Sequence, residues 1–419
     1  MSVTTVPHWL RGANAFQAQA EAPAHPSAHS PARAPASGIQ TELVNLAAVS
    51  HCRADWDDLC ARALEPSVFL ESGFVLPAAL HIAVSKRPLF LLVWQTPRFG
   101  AGRRLIGLCP IQLPGFARTG AARVWLSKQS CSGAPLLDKD TADAALRAML
   151  DHLGARTIGA AALMFTKVPQ AGKSAVLIRA LAAATGRRLD LSGVHARAAL
   201  TGGPVAQAAF DTFGSVKKNK ELRRQRRRLA DGAAVTFVSM SAVEEVRPAI
   251  EEFLRLEASG WKGKCGTAFL SSPGQAAFVR TLTRDLARQG KCRVDMLLRA
   301  GQPVAMGIVL SSADRAAFWK TTYDEDFAAQ SPGVQLCHEI SRQQMQESAV
   351  SITDSCAIAD HPMIDSIWHE RIEIADMLLS VEQGAQPRYF IALLRVKAAG
   401  RLRARARHVF YRLSGRKVS

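Results

Sequence analysis

Apolar residues along this chain fall into two kinds of run. Short continuous ones, "LFLLVW" from Leu89, "LIGLCPIQL" from Leu105 and "VAMGIVL" from Val304, are bounded by Gly, Pro or charged residues. Runs of that length predict buried strands. Longer segments, "DAALRAMLDHLGAR", "VEEVRPAIEEFLRLEASGW", "QAAFVRTLTRDLARQG" and "VQLCHEISRQQMQES", repeat apolar positions every three or four residues and predict amphipathic helices. The two kinds alternate, which predicts an α/β (α+β) fold with hairpins, its mixed sheets flanked by helices.

The order of elements comes twice. "SVFLESGFVLPAALHI" is echoed about 200 residues later by "TAFLSSPGQAAFVRTL", with Phe69 and Leu70 matched by Phe269 and Leu270, and "LIGLCPIQL" is echoed by "VDMLLRAGQPVAMGIVLSS". Either a domain is duplicated or helix-then-hairpin, a common succession, occurs twice. Before the first copy lies "EAPAHPSAHSPARAPASG", whose composition offers little apolar surface to bury, so residues 1–38 read as a disordered leader. The expected division is then an N-terminal domain over 39–205, a basic connecting helix over 206–232, a C-terminal domain over 233–388 and a basic amphipathic tail over 389–419.

Charge adds two local features to this pattern. The 419-residue chain carries a net charge of +18, concentrated in eight basic residues between Lys217 and Arg228 and nine between Arg395 and Lys417, and the remainder is close to neutral. In the first cluster Val216, Leu222 and Leu229 form a narrow apolar seam, as in a solvated surface helix. In the second, Leu402, Ala406, Val409, Phe410 and Leu413 share a face among arginines, which fits either a helix lying on an anionic membrane over 396–419 or a tail helix packed on the body. The eight cysteines form no C-x-x-C pair and no zinc spacing. They read as reduced thiols of a cytoplasmic protein, with no signal peptide and no run long enough to span a bilayer.

Several chemistries lack their residues. His338-Glu339 and His369-Glu370 have no second His at zinc-helix spacing, Ser215 and Lys218 fit S-x-x-K inside a charge-dense helix, and no Walker loop or G-x-G-x-x-G occurs. No metal site is expected. What remains is three strands, a Ser331-Pro332-Gly333 loop and a helix, an arrangement whose free N–H groups can receive a pyrophosphate, although Pro at a helix start is chiefly a structural choice.

The order "LRRQRRRLADGAAVTF", "FLRLEASGWKGKCGTAF", "QPVAMGIVL", "AFWKTTYDEDFAAQSPGVQL" and "DSCAIADHPMIDSIWHER" resembles the CelD-like branch of the GNAT superfamily of acyl-CoA N-acyltransferases, which is related to the FemABX aminoacyl-tRNA transferases. The resemblance covers roughly residues 42 to 385 through "DWDDLCARALEPSVFLESGFV", "LIGLCPIQL" and "GAPLLD". It implies tandem GNAT-like domains, the second one catalytic, with strands splaying after "AFWKTTYD" to hold acyl-CoA (acetyl-CoA) as co-substrate. Ser331, Pro332 and Gly333 would receive its pyrophosphate.

Acyl transfer to an amine needs a base, a carbonyl-oxygen donor and an acid for the thiolate. Asp354 at a strand end is either that base or a structural carboxylate, and Tyr323 is either the acid or a core aromatic. Glu257 is a further catalytic candidate, while Trp261, Lys320 and His361 are candidates for substrate binding. The resemblance implies a small-molecule or saccharide amine acceptor, such as an amino sugar or envelope precursor. Two other functions fit: a FemABX-like transferase using aminoacyl-tRNA, with nucleic acid held by the basic helix, and a non-catalytic scaffold of polysaccharide assembly.

Overall fold

The computed structural model describes residues 38–413 except 84–85, 97–101, 116–118, 204–209, 211–215, 348 and 385, so the leader expected over 1–38 lies almost wholly outside the described residues. The first half runs β1 (Ile39–Val44), α1 (Leu46–Ser50), α2 (Arg53–Ala61), α3 (Ser72–His81), β2 (Leu89–Gln95), β3 (Arg104–Gln112), β4 (Ala121–Val124), β5 (Leu136–Leu137), α4 (Ala142–Gly154), β6 (Ala162–Pro169), α5 (Lys173–Thr185) and β7 (Leu189–Thr201). The basic helix α6 (Val216–Leu229) follows. The second half then runs β8 (Val235–Met240), α7 (Val243–Ser259), α8 (Trp261–Lys264), α9 (Pro273–Ala287), β9 (Cys292–Arg299), β10 (Gln302–Ser312), β11 (Arg315–Tyr323), α10 (Pro332–Gln346), β12 (Ile352–Asp354), β13 (Glu370–Ser380) and α11 (Pro387–Leu413).

Continuous apolar runs became strands covered on both faces: β3 is buried from Leu105 to Ile111. Tight turns set the hairpin registers. Between β9 and β10, Arg299 faces Gln302 across Ala300 and Gly301, whose positive φ values of 49° and 77° match the strand twist.

Among the described residues all thirteen strands belong to one sheet, ordered β1-β2-β3-β4-β6-β13-β7-β12-β11-β10-β9-β8, with β5 added beside β3. Read inward from either edge, the order is the same: β1, β2, β3, β4, β6 correspond to β8, β9, β10, β11, β12. In both halves the last of these pairs, β4–β6 and β11–β12, is parallel. Each half then gives its final strand to the other, since β7 lies against β12 and β13 against β6. A chance succession of helix and hairpin would not reproduce this order, so the two halves are a duplicated unit. The sheets expected for two separate domains are therefore one sheet, joined by exchanged strands.

The halves also share a core. Phe74 of α3, 1% exposed, meets Phe278 of α9 edge-on at 5.6 Å and Trp319 of β11 at 6.0 Å. Buried Glu71, just before α3, accepts hydrogen bonds from Lys291 Nζ at 2.8 Å and Ser312 Oγ at 2.6 Å, both from the second half. The charge is thereby paired and its lone pairs are used.

In α6, Leu229 is buried and Leu222 half-buried, as the seam requires; the Val216 side chain lies outside the described residues. Helix α11 is apolar on two opposite sides. Tyr389 and Ala392 are buried against the body, while Phe390, Ile391, Leu394 and Leu402 face outward at 41%, 41%, 66% and 66% exposure. Of the tail face expected around Leu402, Ala406 is exposed, whereas the side chains of Val409, Phe410 and Leu413 lie outside the described residues. Among the described residues no helix is long and apolar enough to cross a membrane.

Candidate functional site

Strand β11 pairs with β10 along its whole length, but with β12 only from Arg315 to Ala317. The cause is visible in the register. Lys320 faces Ile308 and Phe318 faces the next residue, Val309, so Trp319 is an extra residue on β11, a β-bulge. A bulge bends its strand and increases the local twist, and here it falls where pairing with β12 stops. Beyond it the sheet opens into a V. The opening begins at Phe318, earlier than the expected point after "AFWKTTYD".

The V leads into a cavity of about 520 Å³, lined by Phe318–Tyr323 on one side and Ser355–Ala357 on the other. The corresponding gap of the first half is filled by its own chain. There Gly133 bridges to Thr166, so close that a Cβ would stand 2.7 Å from the Thr166 carbonyl oxygen, and Lys167 Nζ donates to the Ser130 carbonyl at 3.2 Å. Duplication thus left an open site in one copy and a plugged one in the other.

One end of the cavity is the start of α10. Ser331 takes a left-handed conformation (φ 51°, ψ 51°) and its side chain does not cap the helix. Pro332 has no N–H, and the Val334 and Gln335 N–H groups donate to the Ser331 carbonyl at 3.1 and 3.2 Å. The Gly333 N–H is a first-turn donor with no partner within the helix, and Gly333 lines the cavity. Tyr323, 36% exposed, lies against this turn, and a Cβ on Gly333 would stand 3.4 Å from its ring.

The Trp261–Lys264 turn contributes Trp261 and Lys262 to the lining. Glu325, two residues after β11, fastens this turn, accepting hydrogen bonds from the Trp261 N–H and, at 2.8 Å, from Lys264 Nζ. These bonds hold the Glu325 carboxyl below the usual carboxylate range, the Lys264 contact most of all. Trp261 itself is 53% exposed, its ring free at the mouth.

Lys320 supplies the cavity's cation. Its Nζ stands 5.3 Å from the Trp319 ring and 5.6 Å from the Phe269 ring, and burial pushes its ammonium below the ordinary lysine range. The other lining lysine, Lys262, is committed to Glu257 at 2.9 Å.

Eight of the nine side chains singled out in the sequence line this cavity: Glu257, Trp261, Lys320, Tyr323, Ser331, Pro332, Gly333 and His361. Two need their expected roles revised. Glu257 is buried with one oxygen on Lys262 Nζ and the other on the Phe269 N–H at 2.8 Å, so both oxygens are engaged in shaping the loop. Asp354, expected as the base, is absent from the lining. Its carboxylate pairs with buried Arg197 and accepts the Cys356 N–H at 2.9 Å, which makes it a wall support.

Spacing in the sequence could not reveal Arg197, which reaches Asp354 from β7, 157 residues away. Glu325 and Lys262 were within reach of sequence reading, since both stand beside quoted candidates, but their partners come from other elements.

The search of curated proteins returned no match. Among solved structures the chain is similar to the C-terminal domain (DUF2156) of a putative lysylphosphatidylglycerol synthetase from Agrobacterium fabrum, at 14% identity and TM-score 0.49, covering 83% of this chain and 96% of that one. It is also similar to FemX, at 10% identity and TM-score 0.48, covering 78% and 95%. A tandem GNAT protein from the clavulanic acid biosynthesis pathway is similar at 16% identity and TM-score 0.34, covering 83% and 100%. The stretch that carries α6, the Trp261 turn, the bulged strand and α10, residues 216–360, matches the family model of an acetyltransferase (GNAT) domain.

Proposed function

We propose that the protein transfers an acyl group from a coenzyme A thioester to an amine. The observation that carries this reading is the V between β11 and β12, because it leaves strand-edge amides and carbonyls unpaired beside a cavity that ends on the Gly333 N–H. An extended pantetheine chain can pair with such an edge, and a pyrophosphate with such a helix start. As the amine attacks, the carbonyl oxygen gains negative charge that the Lys320 ammonium is placed to meet. The Tyr323 hydroxyl donates the proton the departing thiolate needs, and His361 is the lining side chain with a ring nitrogen available for the proton lost by the amine. The half-exposed Trp261 ring offers a flat apolar face to the acceptor, as a sugar carrying an amino group would use.

Calorimetry with acetyl-CoA tests this. We expect binding in the wild type and affinity about tenfold weaker (~1.4 kcal/mol) in Gly333→Val, whose branched side chain covers the free N–H. No binding heat at any concentration up to the millimolar range sinks the proposal.

A second reading takes the acyl group from aminoacyl-tRNA. It is favoured by α6, which packs on the turn Glu325–Gln330 and reaches α10 through Arg226, 3.3 Å from Gln335, while Lys220, Arg223, Arg227 and Arg228 stay exposed. Steeply salt-dependent tRNA binding, lost on neutralising those exposed residues, would select it over the first.

Fastening by Glu325 has its own consequence. Glu325→Ala should raise the KM several-fold with little change in kcat or thermal midpoint, because it frees the Trp261 turn and touches no core. Glu325 is held below its unfolded value, so the clasp is complete above the usual carboxylate range and opens only as pH falls through the lowered value. In the wild type KM should therefore climb at acidic pH, and in the variant that climb should vanish. An unaltered KM in Glu325→Ala refutes the clasp.

A further inference from the structure

The two halves bring a pair of thiols together at the cavity wall. Cys131 lies on the loop that plugs the first half's gap, and Cys356 lines the cavity just after β12, 225 residues later. Cys131 Sγ donates to the Cys356 carbonyl oxygen at 3.9 Å, and both side chains pack against the same core cluster. One buried ion pair holds both backbones: Arg197 donates to the Cys131 carbonyl at 2.9 Å, and its partner Asp354 accepts the Cys356 N–H at 2.9 Å. Cys356 is fixed in a left-handed conformation at φ 54°, unusual for a side-chain-bearing residue.

The surroundings separate the roles of the two sulfurs. The neighbouring Cys356 side chain holds the Cys131 thiol below the ordinary range against the opposing effects of burial and the Asp354 charge, with Arg197 and Lys167 adding to the lowering, and burial pushes Cys356 well up. A thiolate-prone sulfur beside a protonated one is the arrangement of an attacking and a resolving cysteine.

We propose that Cys131 and Cys356 form a peroxide-sensitive modification site that closes to a disulfide between the two halves of the molecule. The Cys131 thiolate attacks one peroxide oxygen, the O–O bond breaks, and Cys131 becomes a sulfenic acid as the second oxygen leaves as water. The Cys356 sulfur then displaces the hydroxyl from Cys131 Sγ, forming the S–S bond and a second water. Two thiols are oxidised by two electrons and one peroxide is reduced. The bond ties the cavity wall at Cys356 to the loop of the other half, so oxidation alters the site directly.

Treating the full chain with about one equivalent of hydrogen peroxide, alkylating and mapping peptides without reductant tests the assignment. The expected product is one cross-linked peptide pair joining Cys131 to Cys356, lighter by two hydrogens and reversed by dithiothreitol. Cys131→Ser and Cys356→Ser should each abolish it, while Cys265→Ser, which removes the exposed cysteine, leaves it unchanged. Alanine variants at the first two positions guard against a folding defect of either serine. The Cys356→Ser protein should instead accumulate a sulfenic acid on Cys131, trapped by dimedone. Oxidation confined to Cys265, sulfinic acid without a cross-link, or a cross-link through other cysteines overturns the proposal. None of these readouts depends on acyl transfer, so failure here leaves the proposed function standing.

Discussion

Replacing Lys320 with methionine should lower kcat by roughly 10²- to 10³-fold, equivalent to about 3 to 4 kcal/mol of transition-state stabilisation, without weakening the fold. The side chains are alike in length, and the cation sits against the Trp319 and Phe269 rings, which accept a thioether equally well. Stability should hold or rise, because the ammonium is desolvated and methionine has no charge to strip of water. Acid and base effects then separate in the wild type. Burial sets the folded-state value of Lys320 below its unfolded one, so between the two the unfolded chain binds more protons and stability increases with pH. Activity should move the other way over the same range, falling as the ammonium that meets the carbonyl oxygen deprotonates. In Lys320→Met both slopes should disappear together. Stopped-time assays and thermal melts across alkaline pH measure them, and a variant that keeps its kcat removes Lys320 from the chemistry.

The cavity was legible in the sequence where its parts follow one another along the chain. Lys320, Tyr323 and Ser331–Gly333 lie on one strand, turn and helix start, so local pattern placed them together. Trp261 and Glu257 joined them because a helix end and a Gly-flanked turn are also local signals. Pattern stopped where the structure depends on distant pairing. The bulge at Trp319 exists only against the register of β10, and it falls where the sheet opens; from Lys320 to Tyr323 that register is regular, so the two side chains leave opposite faces of β11 at the cavity edge. Asp354 looked like a base because a carboxylate at a strand end commonly faces a cleft. Its capture by Arg197 required β7 to cross into the other half, and no composition or spacing encodes that exchange. The echo of Phe69 and Phe269 was correct at the level of elements: each lies in a short 3-10 turn that leads into α3 or α9. It gave no hint that the copies trade strands.

That exchange, and the core it encloses, make Phe74→Ala the most costly substitution expected in the molecule. Phe74 belongs to the first half by sequence but packs in the second half's core, edge-on to Phe69 at 5.2 Å as well as to Phe278 and Trp319. Truncating a buried phenylalanine removes its transfer energy and leaves a cavity, a loss of about 3–5 kcal/mol, and three edge-to-face contacts disappear with it. Denaturant titration should show that loss as a lower midpoint, whereas Leu80→Ala on the same helix, at 49% exposure, should stay within about 0.5 kcal/mol of wild type. A second effect should accompany the first and distinguishes a shared core from two independent ones. Trp319 is the bulged residue of β11 and its Nε1–H donates to the Gln129 carbonyl of the first half at 2.9 Å. With Phe74 gone the indole loses one of the rings that fix it, so acetyl-CoA affinity should fall several-fold even where the protein remains folded. If Phe74→Ala lowers stability but leaves ligand affinity untouched, the first half does not brace the site, and the cavity is shaped by the second half alone.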